Sequence, residues 1–147
     1  MKNYKIFSFI FFIFFLFSCG SAHDDVSAIA ESSILVKQND VVIENNKDFT
    51  FSDTSSGSSL ELELKIKNKG EEIFYFKDSD EILLIEDEPK NQFVLTQPSA
   101  RFIDVGEELS FKISFNPTQA GDFKALVVIP NHVDEKEYKF FVKGRSY

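Results

Sequence analysis

The sequence predicts an all-β protein built from antiparallel strands. Two segments, 60–67 and 109–115, alternate strictly between apolar and polar residues. This alternation is typical of a strand with one face in a core and the other in water. Shorter β-like segments separated by Gly, Pro, Asn and Asp fill the rest, and no long helical pattern interrupts them. Strands at such short spacings indicate a sandwich or a barrel.

The two alternating segments define the most secure strands. In the first, the apolar positions are Leu60, Leu62, Leu64 and Ile66. In the second, they are Leu109, Phe111, Ile113 and Phe115. Nine shorter strands are expected between breaks at 55–59, 77–80, 89–91, 116–121 and 130–134. These strands are 34–37, 41–44, 49–51, 73–76, 82–85, 93–96, 102–105, 123–129 and 138–142.

Three turn signals mark where strands end. The run Asn68-Lys69-Gly70 predicts a tight turn after the first alternating strand. Pro117 lacks a backbone donor and is expected to stop the second strand, while Gly121 permits the chain to reverse. Gly144 is expected to let the last strand leave the sheet.

The N-terminal residues have the order of an export signal. Lys2 and Lys5 give a positive start, residues 6–17 are apolar apart from Ser8, and a small residue, Ser18, precedes Cys19. An apolar run of about a dozen residues is shorter than the roughly 20 that a membrane-spanning helix needs. We therefore expect a cleaved signal over residues 1–18, a small and polar tether over 19–33, and one domain over 34–147.

Leu16, Ser18 and Cys19 resemble the lipobox of bacterial lipoproteins, although Phe17 stands where that family has a small or β-branched residue. The resemblance implies that the Cys19 thiol carries a lipid and that the mature chain begins there. A lipid of two or more acyl chains holds a protein stably on a membrane. The alternative is an ordinary secreted protein with a free cysteine at its mature start.

Four short motifs in the domain occur in a recognisable order. They are Asn68-x-Gly70, Val105-Gly106 before a strand, Phe115-x-Pro117-Thr118-x-x-Gly121 and Phe141-Val142-x-Gly144. Together they resemble the immunoglobulin-like choice-of-anchor D and ASH/Hydin-type domains. The resemblance covers residues 34–147 and implies a single antiparallel β-sandwich of about 7–9 strands. It also implies a binding, adhesion or scaffolding module and not an enzyme.

Charge and cysteine content exclude several classes of function. Without residues 1–18 the chain has 14 basic and 24 acidic residues, a net charge of −10. Nucleic-acid binding requires a basic surface, so no nucleic-acid partner is expected. The same acidity disfavours adhesion to anionic lipid beyond the anchor. Cys19 is the only cysteine, so no disulfide forms within one chain and the apolar core must provide the stability.

No residue set in the sequence indicates catalysis or a cofactor. The two histidines, His23 in the tether and His132 in a hairpin, lack a neighbouring nucleophile. A pair of His132 with Asp134 is conceivable, but an exposed loop histidine is the better interpretation. We therefore expect no catalytic, cofactor-binding or metal residues, with lipid attachment at Cys19 as the one covalent site.

Two charged features leave alternatives open. The acidic clusters 78–81 and 86–88 flank the apolar segment 82–85, so they are either calcium ligands or charged loops that protect a strand from edge pairing. Lysines at 65, 67 and 69 are either a solvated strand face or a docking patch for an acidic partner.

These observations predict a bacterial cell-envelope protein, lipid-anchored to a membrane through Cys19, whose domain binds a protein partner or has a structural role. Exposed strand edges and loops would make the contacts. One alternative is a surface adhesin that binds host or matrix ligands. Another, from a different class, is a small envelope hydrolase with an unrecognised site.

Overall fold

The computed structural model describes residues 33–89, 91–131 and 137–147. The predicted signal and almost all of the predicted tether lie outside the described residues. Eleven strands form in the described part. They are β1 (Ile34–Gln38), β2 (Val41–Ile43), β3 (Asp48–Thr50), β4 (Leu60–Asn68), β5 (Phe74–Tyr75), β6 (Leu84–Glu88), β7 (Phe93–Thr96), β8 (Phe102–Ile103), β9 (Glu108–Phe115), β10 (Gly121–Ile129) and β11 (Tyr138–Ser146).

The strands form two main sheets, which confirms the predicted β-sandwich. One sheet has the order β2-β1-β4-β9-β7 and the other the order β3-β11-β10-β6. In the described residues these sheets hold nine strands, and the remaining two, β5 and β8, form a separate two-residue ladder. The pairing is antiparallel except between β3 and β11, which run parallel. The two alternating segments of the sequence, now β4 and β9, are direct neighbours with Leu60 opposite Phe115.

Phenylalanine rings fill the centre of the sandwich. Phe115 is fully buried, and its ring stacks on Phe93 with a centroid distance of 4.8 Å. The rings of Phe51 and Phe123 lie 5.9 and 5.7 Å from it. Burial of these rings supplies much of the apolar stabilisation in a domain without a disulfide.

The sequence predicted that the last strand leaves the sheet at Gly144, and this prediction is wrong. Strand β11 continues through it to Ser146, and Gly144 lies opposite Phe123 of β10. A Cβ atom at this position would lie only 2.5 Å from Cε1 of Phe115. The glycine is therefore required because the Phe115 ring packs directly on the β11 backbone.

The predicted strand at 82–85 is displaced by two residues, since β6 begins at Leu84 and includes Glu86 and Asp87. Ile82 and Leu83 are buried, as their apolar character suggests. However, the Gln97 side chain accepts from the Leu83 N–H and donates to the Leu83 C=O, both at 2.8 Å. The side-chain amide thus supplies the two backbone hydrogen bonds that a neighbouring strand would otherwise make to Leu83.

Within the described ranges, no helix has the length and apolar character needed to cross a membrane.

Candidate functional site

Several residues considered as sites from the sequence fall outside the described residues. They are Cys19, His23, His132 and Asp134. Lipid attachment at Cys19 therefore stays a prediction, and so does the reading of His132 as an exposed loop residue.

The acidic cluster 86–88 belongs to a strand and not to a loop. It lies in β6, one of the two edge strands of the four-stranded sheet. Oδ2 of Asp87 accepts hydrogen bonds from the backbone N–H groups of Gln92 (2.9 Å) and Phe93 (3.1 Å). Asp87 therefore holds the connection between β6 and β7. Among the described residues, no group of three or more His, Cys, Asp or Glu side chains could hold a metal ion.

Lys65, one of the three lysines of the strip, lies beside a carboxylate of β9. Nζ of Lys65 lies 3.4 Å from Oε2 of Glu108, and Lys37 forms an ion pair with the same carboxylate. The hydrogen bond from Lys37, followed by the contribution of Lys65, lowers the pKa of Glu108. Lys65 therefore has an acidic neighbour within the domain, and a docking patch for an acidic partner on this face stays a prediction.

The outer face of the four-stranded sheet has an open groove of about 430 Å³. Lys124 and Lys143 line it, and both contact Asp48, at 3.7 and 2.5 Å. Lys124 also lies 3.6 Å from the centroid of the Phe141 ring. Asp48 is therefore a shared partner of both lysines, and the lining of the groove also contains Arg145 and Asp122, which lie 3.8 Å apart.

Asn68 organises the end of the domain where β1 begins. It is fully buried at the end of β4, although the sequence suggested only a turn residue. Its Nδ2 donates to the carbonyls of Glu72 (2.7 Å) and Ile103 (2.9 Å), and its Oδ1 accepts from the Gly70 N–H at 2.9 Å. This one side chain therefore fixes the segments that precede β5 and include β8.

The β5–β8 ladder places two aromatic rings in solvent. Phe74 pairs with Ile103, and both side chains are buried. Tyr75 pairs with Phe102, and these side chains are 48% and 46% exposed, with ring centroids 6.2 Å apart. Ile73, 40% exposed, lies beside Tyr75 in the lining of a groove of about 210 Å³. We call Ile73, Tyr75 and Phe102 the aromatic patch.

The aromatic patch lies at the end of the domain that receives the chain from its N-terminal side. Ser33 lines the same groove as Ile73 and Tyr75, and the Lys69 N–H donates to the Ser33 carbonyl at 2.9 Å. Sequence reasoning missed this patch. The aromatic run at 74–76 was a signal for it, but the run does not show which rings face outward.

The residues at 41–145 match the model of the HYDIN/CFA65/VesB-like, Ig-like domain family. The chain therefore belongs to this family of Ig-like domains, which confirms the Hydin-type resemblance; the choice-of-anchor D resemblance stays a prediction. No curated protein matches the chain significantly.

Solved structures are similar to this chain at low sequence identity. The secreted serine protease VesC of Vibrio cholerae is similar over 69% of this chain and 22% of its own length, with 10% identity and a TM-score of 0.52. The ASH/PapD-like domain 7 of human CEP192 is similar over 78% of this chain and 85% of that domain chain, with 17% identity and a TM-score of 0.48.

Proposed function

We propose that this chain is a lipid-tethered protein of a bacterial cell envelope whose Ig-like domain serves as a protein-binding or structural module. The observation that carries the binding role is the aromatic patch. Solvent-exposed apolar groups that cluster, rather than occur singly, mark interaction sites on folded domains. Membership of an Ig-like domain family supports a structural or binding role over catalysis.

The tethered location is supported by the order of residues 1–19, which resembles an export signal followed by a lipobox. Cys19 lies fourteen positions before Ser33 in the sequence. A flexible chain of this length has a typical end-to-end distance of about 20 Å. A lipid on Cys19 would keep the Ser33 end of the domain, and with it the aromatic patch, near the membrane. VesC, a secreted protein with this fold, supports an exported location.

The Cys19→Ala variant tests the tether. We expect the wild-type chain to enter the detergent phase in a phase-partitioning assay and to incorporate a labelled fatty acid in cells. Cys19→Ala should lose the label and move to the aqueous phase, whereas Ser21→Ala, a matched change in the tether, should behave as wild type. Unchanged partitioning and labelling of Cys19→Ala would refute lipid attachment.

Crosslinking in whole cells tests the binding role. The tethered domain should give a specific crosslinked species that depends on the exposed rings of Tyr75 and Phe102. If no specific partner is recovered, the proposed binding role is wrong. Protease treatment of intact cells should spare a domain that faces the periplasm, and its removal would favour the surface adhesin instead.

A further inference from the structure

We infer that the aromatic patch binds a basic segment of a partner protein that packs an apolar anchor against Ile73, Tyr75 and Phe102. This inference rests on the proposed binding role and adds the chemistry of the partner. The apolar part of the argument comes from the patch itself. Tyr and Phe rings offer large contact areas with few rotatable bonds, and they are enriched in the apolar centres of protein interfaces.

The charge around the patch determines whether the partner segment is basic or acidic. Segments 69–81 and 101–107, which carry the patch, contain seven acidic and three basic residues. The acidic residues are Glu71, Glu72, Asp78, Asp80, Glu81, Asp104 and Glu107, and all of them are exposed. An acidic rim around an apolar centre is complementary to a segment with Lys or Arg on either side of its anchor.

Two carboxylates stand directly at the groove beside the patch. Glu71 and Glu72 line it together with Ile73 and Tyr75. None of the ion pairs found among the described residues involves either glutamate. Arg101, which precedes Phe102 in the sequence, lies 4.0 Å from Asp78 and donates to the Asp80 carbonyl at 3.5 Å. The groove can therefore accept a cationic side chain, while the nearest arginine is directed to its own neighbours.

The patch is also held in shape before binding. Asn68 fixes the carbonyls of Glu72 and Ile103, which immediately adjoin Ile73 and Phe102. A surface that is already ordered loses less conformational entropy when a partner binds. The acidic rim disfavours two other occupants, an anionic lipid surface and an acidic protein segment, because both would be repelled.

The test uses the full chain reconstituted in phosphatidylcholine nanodiscs and two labelled probe peptides. Both peptides have the same Leu-Phe anchor, flanked by Lys in one and by Glu in the other. Fluorescence anisotropy should show at least tenfold tighter binding of the Lys peptide, with an affinity that falls as salt increases. The double variant Tyr75→Ala/Phe102→Ala should lower this affinity at least tenfold. Glu71→Gln/Glu72→Gln should lower it severalfold and weaken the salt dependence.

Matched controls come from exposed valines on the five-stranded sheet. Val42 on β2 and Val94 on β7 are 46% and 47% exposed, close to the values for the two rings. Val42→Ala and Val94→Ala should leave the affinity for the Lys peptide unchanged. Equal binding of the two peptides, or an equal loss in the valine controls, would overturn the inference. Circular dichroism of each variant checks that it is folded.

A lipid occupant is distinguished by a fluorescent reporter. The chain has no Trp, so Phe102→Trp introduces a single one into the patch. Its emission should change when the Lys peptide is added and should resist quenching by brominated lipids in the nanodisc. Strong lipid quenching would assign the patch to the membrane and overturn the inference. If the Lys peptide does not bind but whole-cell crosslinking finds a partner, the proposed binding role stands and only the inferred basic character of the partner is wrong.

Discussion

The contact between Gly144 and Phe115 predicts that Gly144→Ala destabilises the domain. The added methyl carbon would lie 2.5 Å from Cε1 and 2.6 Å from Cζ of Phe115, where ordinary contacts begin at 3.4 Å. The ring would have to retreat by about 1 Å to restore an ordinary contact. It cannot do so freely, because it stacks on Phe93 at 4.8 Å and also contacts Phe51 and Phe123.

The magnitude follows from two opposing effects. Overpacking of a filled core costs up to about 3 kcal/mol. Replacing a strand glycine by alanine recovers roughly 0.5–1 kcal/mol through the lower entropy of the unfolded chain. We expect a net loss of about 2 kcal/mol in the free energy of unfolding, or roughly 8 °C in Tm. Urea denaturation followed by circular dichroism measures it, and an unchanged m-value shows that the transition is comparable.

A double-mutant cycle attributes the loss to the ring. Phe115→Leu removes Cε1 and Cζ, the two ring atoms that the new methyl group would approach most closely, so the double variant should lose at least about 1 kcal/mol less than the sum of the single losses. Gly106→Ala is the control for a glycine substitution without a clash: no atom lies within 4 Å of the added Cβ, and its loss reflects the strain of a φ of +79°, so this loss should add to that of Phe115→Leu. Additive losses for Gly144→Ala and Phe115→Leu would refute the steric explanation.

Two further predictions concern polar groups. Asn68→Ala removes three hydrogen bonds at a buried position and should lower the free energy of unfolding by about 3 kcal/mol. Asn116→Ala, the control at a partly exposed position, should lower it much less. Similar losses in the two variants would contradict the role of Asn68. A hydrogen bond from Lys143, followed by its charge and that of Lys124, lowers the pKa of Asp48 from its ordinary 3.8. The stabilisation by this carboxylate is therefore present above that value and lost as the pH falls through the lowered pKa. Lys143→Met should make the free energy of unfolding, measured by urea denaturation, less sensitive to pH below about pH 4. The same pH dependence in the variant and the wild type would show that the ion pair contributes nothing.

The strands of the five-stranded sheet were predictable because one of its faces is in water. Such a sheet alternates apolar and charged residues, and this pattern places Leu64 and Phe111 in the core without any tertiary information. Strand β6 was less predictable. Its start at Leu84 depends on Gln97, a side chain fourteen positions away that satisfies the Leu83 backbone.

The aromatic patch was not predictable because it depends on a pairing between distant segments. Phe74 and Tyr75 are adjacent in sequence and similar in hydrophobicity, yet one is buried and the other is 48% exposed. Only the register with β8, in which Phe74 pairs with Ile103 and Tyr75 with Phe102, decides which ring faces water. The same holds for Gly144, whose role becomes visible only when β11 lies against the Phe115 ring.

Asn68 and Gly144 lie at opposite ends of the sandwich, and this separates local from global effects on binding. Asn68 ends β4 beside the aromatic patch, whereas Gly144 contacts Phe115, which pairs with Leu60 at the start of β4. Nine strand residues span about 27 Å between these ends. Both Asn68→Ala and Gly144→Ala destabilise the domain, but only the former releases the backbone next to Ile73 and Phe102. Under conditions where both variants are folded, Asn68→Ala should lower the affinity for the Lys peptide and Gly144→Ala should not. Equal weakening would mean that binding follows overall stability and not the shape of the patch.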